Sequence, residues 1–162
     1  MKKSDLQNIL NEHNSSAYLW ARQCCSFDED LAKDVLQLVY LKILEGKAVY
    51  REKSSLKTWL FSVIKFTAAE QKRKEGQTTT LDEADGYAHI EEPESQDSHE
   101  ELVMLLPKRQ QEVLLLVFYH GLTLEKAAEV MEISLGSVRT HYDRGKKNLK
   151  ELIIKKNRHE NA

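Results

Sequence analysis

Ser137, Arg139, Thr140, Asp143, Arg144 and Lys147 fall at intervals that bring them to one side of a helix. Arg can pair bidentately with guanine in the major groove, Ser and Thr reach bases or phosphates, and Lys neutralises phosphate. Lys146 and Lys150 extend the positive field along the same segment. A second set, Lys57, Phe61, Lys65 and Lys72, recurs at steps of four, four and seven. An aromatic among lysines suits single-stranded DNA, because bases stack on aromatic faces while cations offset the phosphates.

The first set needs a helix held at a steep angle to its neighbour. Thr123 can cap a short helix over Leu124–Met131, and Ser134 can cap a longer one from Leu135. The intervening Glu132-Ile133-Ser134 has the length of a helix-turn-helix break, and Ala127 and Ala128 permit close approach. Val138, Tyr142, Gly145, Leu149 and Ile153 form the buried stripe of the second helix. Two bracing helices are expected upstream. The first follows a capping box at Ser98–Glu101; the second has Pro107 in its first turn, Val113, Leu116 and Val117 facing inward, and a stop at Gly121. The polar tail after Ile154 is expected to fray.

The second set needs a helix over Leu56–Lys74, with Leu56, Leu60, Val63 and Thr67 as its core stripe, joined by Trp59 and Ile64. An exposed basic loop, residues 46–55, should precede it and end at a Ser54 or Ser55 cap. Before that, the acidic cluster Asp28-Glu29-Asp30 opens a helix to about Glu45. Its stripes Ala32, Leu36, Val39, Ile43 and Leu31, Val35, Leu38 leave a narrow face of Asp30, Asp34, Gln37 and Leu41. Helices are also expected from a capping box at Ser4–Gln7 and over Ser15–Cys25.

Charge divides the 162-residue chain into three. Residues 1–75 hold 13 Lys+Arg against 10 Asp+Glu (+3), residues 76–101 none against 9 (−9), and residues 102–162 hold 11 against 7 (+4). The middle stretch is too acidic and too poor in apolar residues to fold alone, so it reads as a flexible linker. The expected architecture is all-α: two small helical domains, 1–75 and 102–162, joined by the acidic linker 76–101, the C-terminal one a helix-turn-helix. Cys24 and Cys25 are adjacent and read as reduced thiols, and the histidines lack ligand spacing, so no metal site or cofactor is expected. With no nucleophile–base constellation or phosphate loop, an enzyme is not expected. No apolar run approaches a membrane span or a secretion signal, so the expected location is cytoplasmic.

Leu106-Pro107-Lys108-Arg109-Gln110-Gln111-Glu112-Val113-Leu114-Leu115-Leu116, Gly121-Leu122-Thr123 and Ser134-Leu135-Gly136-Ser137-Val138-Arg139-Thr140 resemble the promoter-binding C-terminal domain of bacterial RNA polymerase sigma factors, specifically the small extracytoplasmic-function (ECF) group. Ser55-Leu56-Lys57-Thr58-Trp59-Leu60-Phe61 resembles the promoter-melting helix of that family, and the segment 34–42 resembles its polymerase-clamp-binding segment. The resemblance implies a sigma factor whose partners are core RNA polymerase and promoter DNA, duplex and melted, with room for an anti-sigma factor. It assigns Asp34, Gln37 and Leu41 to polymerase, Lys57, Phe61 and Lys65 to the melted strand, and Ser137, Arg139, Thr140, Asp143, Arg144 and Lys147 to duplex DNA. Three positions depart from the family: Leu38 where an acid is frequent, Lys65-Phe66 where Arg-Asn is common, and Glu132 where the turn usually has Gly. A non-Gly residue in a left-handed turn costs about 1 kcal/mol, so a slightly different turn is expected. The residues alone also allow a stand-alone helix-turn-helix regulator with an N-terminal dimerisation or sensing domain.

Overall fold

A computed structural model describes residues 3–76 and 98–160. Every regular element among them is helical. The chain divides into two compact units. The acidic linker lies largely outside the described residues.

The N-terminal unit contains α1 (Lys3–Glu12), α2 (Asn14–Cys24), α3 (Glu29–Leu44) and α4 (Leu56–Lys74). The Ser4 capping box falls on side chains outside the described set. Asp28 starts α3, its carboxylate accepting from the Leu31 amide at 3.1 Å, and Ser55 starts α4, its hydroxyl accepting from the Thr58 amide at 3.2 Å. Between α2 and α3 the chain turns through Ser26 and Phe27, both in the left-handed region (φ 54° and 66°). Helices α2, α3 and α4 pack pairwise around Ala17, Trp20, Ala21, Leu31, Ala32, Val35, Leu36, Val39, Ile43, Leu60, Phe61, Ile64 and Ala68.

Trp20 and Phe61 centre this core. Their rings stack with centroids 5.6 Å apart and planes 3° from parallel, and the Trp20 indole Nε1 donates to the Phe61 carbonyl at 3.0 Å. An indole buried to 1 % exposure thus keeps its one donor satisfied.

The C-terminal unit contains α5 (Ser98–Val103), α6 (Lys108–Leu114), a π-helical turn (Leu115–Tyr119), α7 (Leu124–Met131) and α8 (Leu135–Glu160). Pro107 stands at the cap of α6 rather than in its first turn, with ψ 147°. Gln111 Nε2 donates to the Met104 and Leu106 carbonyls, each at 2.8 Å, and so closes the α5–α6 connection. The π turn widens the helix by one residue per turn, with the His120 amide reaching back to the Leu115 carbonyl at 3.2 Å. Helices α6 and α8 pack tightly at Gly145, where a Cβ would lie 3.2 Å from Leu114 Cδ1 and 3.3 Å from Gln110 Cβ. Asn148 Nδ2 donates to Gln110 Oε1 at 2.9 Å beside this crossing. The helix continues past Ile154 to Glu160 where fraying was expected, because residues 155–160 contain neither Gly nor Pro.

Candidate nucleic-acid interface

The turn between α7 and α8 determines where the basic face points. Thr123 Oγ1 accepts from the Lys126 amide at 3.2 Å and starts α7, which ends at Met131 as the spacing predicts. Glu132 then enters the left-handed region at φ 56°, ψ 40°. The turn is therefore not rebuilt to avoid the missing glycine; Glu132 accepts the strain while the Ile133 amide closes on the Ala128 carbonyl at 3.3 Å. Ser134 Oγ accepts from the Ser137 amide at 3.1 Å and opens α8.

Ser137, Arg139, Thr140, Asp143, Arg144 and Lys147 are all exposed on α8. Val138 and Gly145 on the opposite side are buried, and Tyr142, Leu149 and Ile153 are half-buried. Thr140 Oγ1 donates to the Gly136 carbonyl at 3.1 Å, which commits its proton and leaves its lone pairs able to accept. Ser134 Oγ donates to Ser137 Oγ at 2.9 Å, so the Ser137 proton remains available to an acceptor such as phosphate. Asp143 lies 3.9 Å from Lys146 Nζ, a solvent-screened pair.

On α3 the residues Asp30, Asp34, Gln37 and Leu41 are exposed along one edge, and Leu41 retains 49 % of its surface. Leu38 is half-buried beside them.

The outer stripe of α4 requires a correction. Phe61, expected to stand outward among lysines, is 0 % exposed against Trp20. The physical reason is that α4 packs on both α2 and α3, so its buried arc is broader than one stripe and rotates to take in Phe61, Ile64 and Ala68. Val63 and Leu56 are correspondingly only half-buried. Lys57 and Lys65 are half-buried at the flank, with Lys57 Nζ 5.6 Å from the Phe61 ring centroid. The outward face instead comprises Trp59, Ser62, Phe66, Ala69 and Arg73, at steps of three, four, three and four. Phe66 keeps 59 % of its surface exposed. Trp59 is half-buried and leans on Tyr50, centroids 5.3 Å apart, and the Tyr50 hydroxyl donates to the Ser54 carbonyl at 2.6 Å. Tyr50 thereby pins the basic loop, with exposed Arg51 and Lys53, onto the start of α4.

Sequence periodicity missed Phe66. The signal was present in the 59-62-66-69-73 spacing, but two phenylalanines five residues apart are equally apolar, and only the location of Trp20 decides which one turns inward. Among the described residues no His, Cys, Asp and Glu side chains group as a metal site, and no helix is long and apolar enough to cross a membrane.

Comparison with known proteins adds to this geometry. The sigma-70 region 2 family matches residues 10–78, and the sigma-70 region 4 family matches residues 99–149. The RNA polymerase sigma factor YlaC of Bacillus subtilis (strain 168) is 31% identical over 162 residues, covering 92% of this chain and 87% of its own. The ECF RNA polymerase sigma factor EcfG of Rhodopseudomonas palustris (strain TIE-1) is 28% identical, covering 79% of this chain and 74% of its own. In fold, the chain is similar to the sigma factor RpoE of Bartonella quintana, solved in complex with the anti-sigma factor NepR, with a TM-score of 0.72 at 23% identity over 92% of this chain and 96% of that one.

Proposed function

Since this chain belongs to the ECF sigma factors of the sigma-70 family, which direct RNA polymerase to promoters, we propose which of its residues perform each part of that task. The partners are core RNA polymerase and promoter DNA. Residues 102–162 read the distal promoter element as duplex. Arg139 and Arg144 address base edges, Ser137, Thr140 and Asp143 add hydrogen-bonding partners, and Lys147 takes phosphate. Residues 1–75 hold polymerase through Asp34, Gln37 and Leu41, and hold the melted strand along α4, where Lys57 and Lys65 supply flanking charge. The segment 76–101 tethers the two. The protein acts as a non-catalytic cytoplasmic subunit.

The observation that carries this reading is the exposed face of α8 immediately behind the left-handed turn, with all six polar side chains outward. The stand-alone regulator is not favoured, because relatives that match across both units are polymerase sigma factors. The test is run-off transcription with core polymerase on a promoter library, with and without this chain. Wild type is expected to yield promoter-dependent transcripts. Arg139→Ala combined with Arg144→Ala is expected to abolish them while polymerase binding persists. Transcripts of equal yield from the double variant would refute the duplex assignment.

A further inference from the structure

We propose that Gln110 and Asn148 are positioning residues: their hydrogen bond fixes the rotation of α8 about its own axis and so selects which side chains meet the base edges, a role that rests on the duplex reading above. Helix α8 is long but lightly held. Among its described residues Val138 alone buries a whole side chain, at 0 % exposure, while Tyr142, Leu149 and Ile153 are half-buried. The tight packing at Gly145 brings α6 close, yet a glycine has no side chain to interlock with Leu114. Aliphatic contact of this kind is non-directional and opposes a small roll of the helix only weakly.

The polar pair supplies the missing direction. Asn148 follows Gly145 by one turn of α8, and its Nδ2 donates to Gln110 Oε1 at 2.9 Å. Gln110 is buried, with 8 % of its surface exposed, and its Cβ is among the atoms that a Cβ at position 145 would meet, so the acceptor stands at the crossing itself. A hydrogen bond holds only within a few tenths of an ångström and a limited angle, so the pair tolerates one rotation of α8 and is lost at others. Rolling α8 by about 20° would carry the tips of Arg139, Thr140 and Arg144 about 2 Å around a helix of about 5–6 Å radius, more than a bidentate base contact allows. Half-buried Asn148 and buried Gln110 both lie off the exposed face, so they act on the bases only through the orientation of α8. A single polar contact within apolar packing is the best-attested means of fixing register.

The experiment uses holoenzyme reconstituted from the full chain and core polymerase. Run-off yield is measured on a promoter recovered from the library and on single-base variants of its distal element. Asn148→Ala is expected to narrow the preference for the recovered promoter by about 5- to 150-fold, the discrimination that one bidentate pair supplies. That change also strips the buried Gln110 amide of its partner and costs stability, so the decisive variant is Gln110→Leu with Asn148→Leu, which refills the contact with apolar atoms. It should match or exceed wild type in urea unfolding yet lose the preference. Exchanging the two amides, Gln110→Asn with Asn148→Gln, should restore it. Wild-type preference in the double-leucine chain would overturn the proposal, as would a loss of yield by one common factor on every sequence, or a loss of preference that follows the urea midpoint across the variants. These three results leave the duplex assignment intact. A wild-type holoenzyme with no sequence preference would instead overturn that assignment, and this role with it.

Discussion

Cys25 and its neighbour Cys24 differ by environment rather than by chemistry. Burial pushes the Cys25 thiol up to about 11, only partly opposed by Lys72. Because the thiolate is the reactive form, iodoacetamide at pH 8 should modify half-buried Cys24 well before Cys25, as read by peptide mass spectrometry. A raised thiol value leaves stability untouched below the ordinary cysteine range and lowers it as pH rises through that range, so alkaline unfolding should ease in Cys25→Ser. Glu132 offers the opposite kind of test. Glycine at its left-handed backbone relieves about 1 kcal/mol of strain but restores unfolded-state freedom, so Glu132→Gly should gain somewhat less than about 1 kcal/mol in urea unfolding. The need for a left-handed residue at that position was legible from the resemblance to a family that usually has Gly there. That glutamate would adopt it, rather than force a different turn, was not, because the cost is small beside the packing of Ala127, Ala128 and Val138 that it secures.

At the scale of helices, two contacts decide whether the faces are presented. Phe61→Ala removes a ring at the centre of three helices and should cost about 3–5 kcal/mol, measured by chemical denaturation. Gly145 is the near-contact point of α6 and α8. Gly145→Ala should stay within about 1 kcal/mol of wild type, because helix propensity offsets a tight Cβ; Gly145→Leu should lose about 1–3 kcal/mol through overpacking. Periodicity revealed α7 and the stripe of α8 because each presents one clear apolar side to its partners. It misjudged α4, which lies against two helices and carries apolar residues around most of its girth. The π turn at Leu115–Tyr119 had no sequence signal: its residues are the same aliphatic and aromatic types that an ordinary helix would use. The exposed face of α8 was therefore readable residue by residue, while α4 was readable only as a helix.

For the chain as a whole, each unit has its own core, and the charges at both ends are mildly basic around a strongly acidic middle. Damage to one core should leave the other standing. Phe61→Ala is expected to raise hydrogen exchange across α2–α4 while protection in α6–α8 is unchanged, and Gly145→Leu to do the reverse; simultaneous loss in both would mean that they fold as one. The division between units was visible in composition because charge and hydropathy change together at residues 76–101. The two tryptophans of the chain, Trp20 stacked under Phe61 and Trp59 leaning on Tyr50, both lie in the N-terminal unit. Selective excitation of tryptophan therefore makes the protein a self-labelled optical probe: emission follows only the N-terminal unit, and the C-terminal unit is dark in that channel.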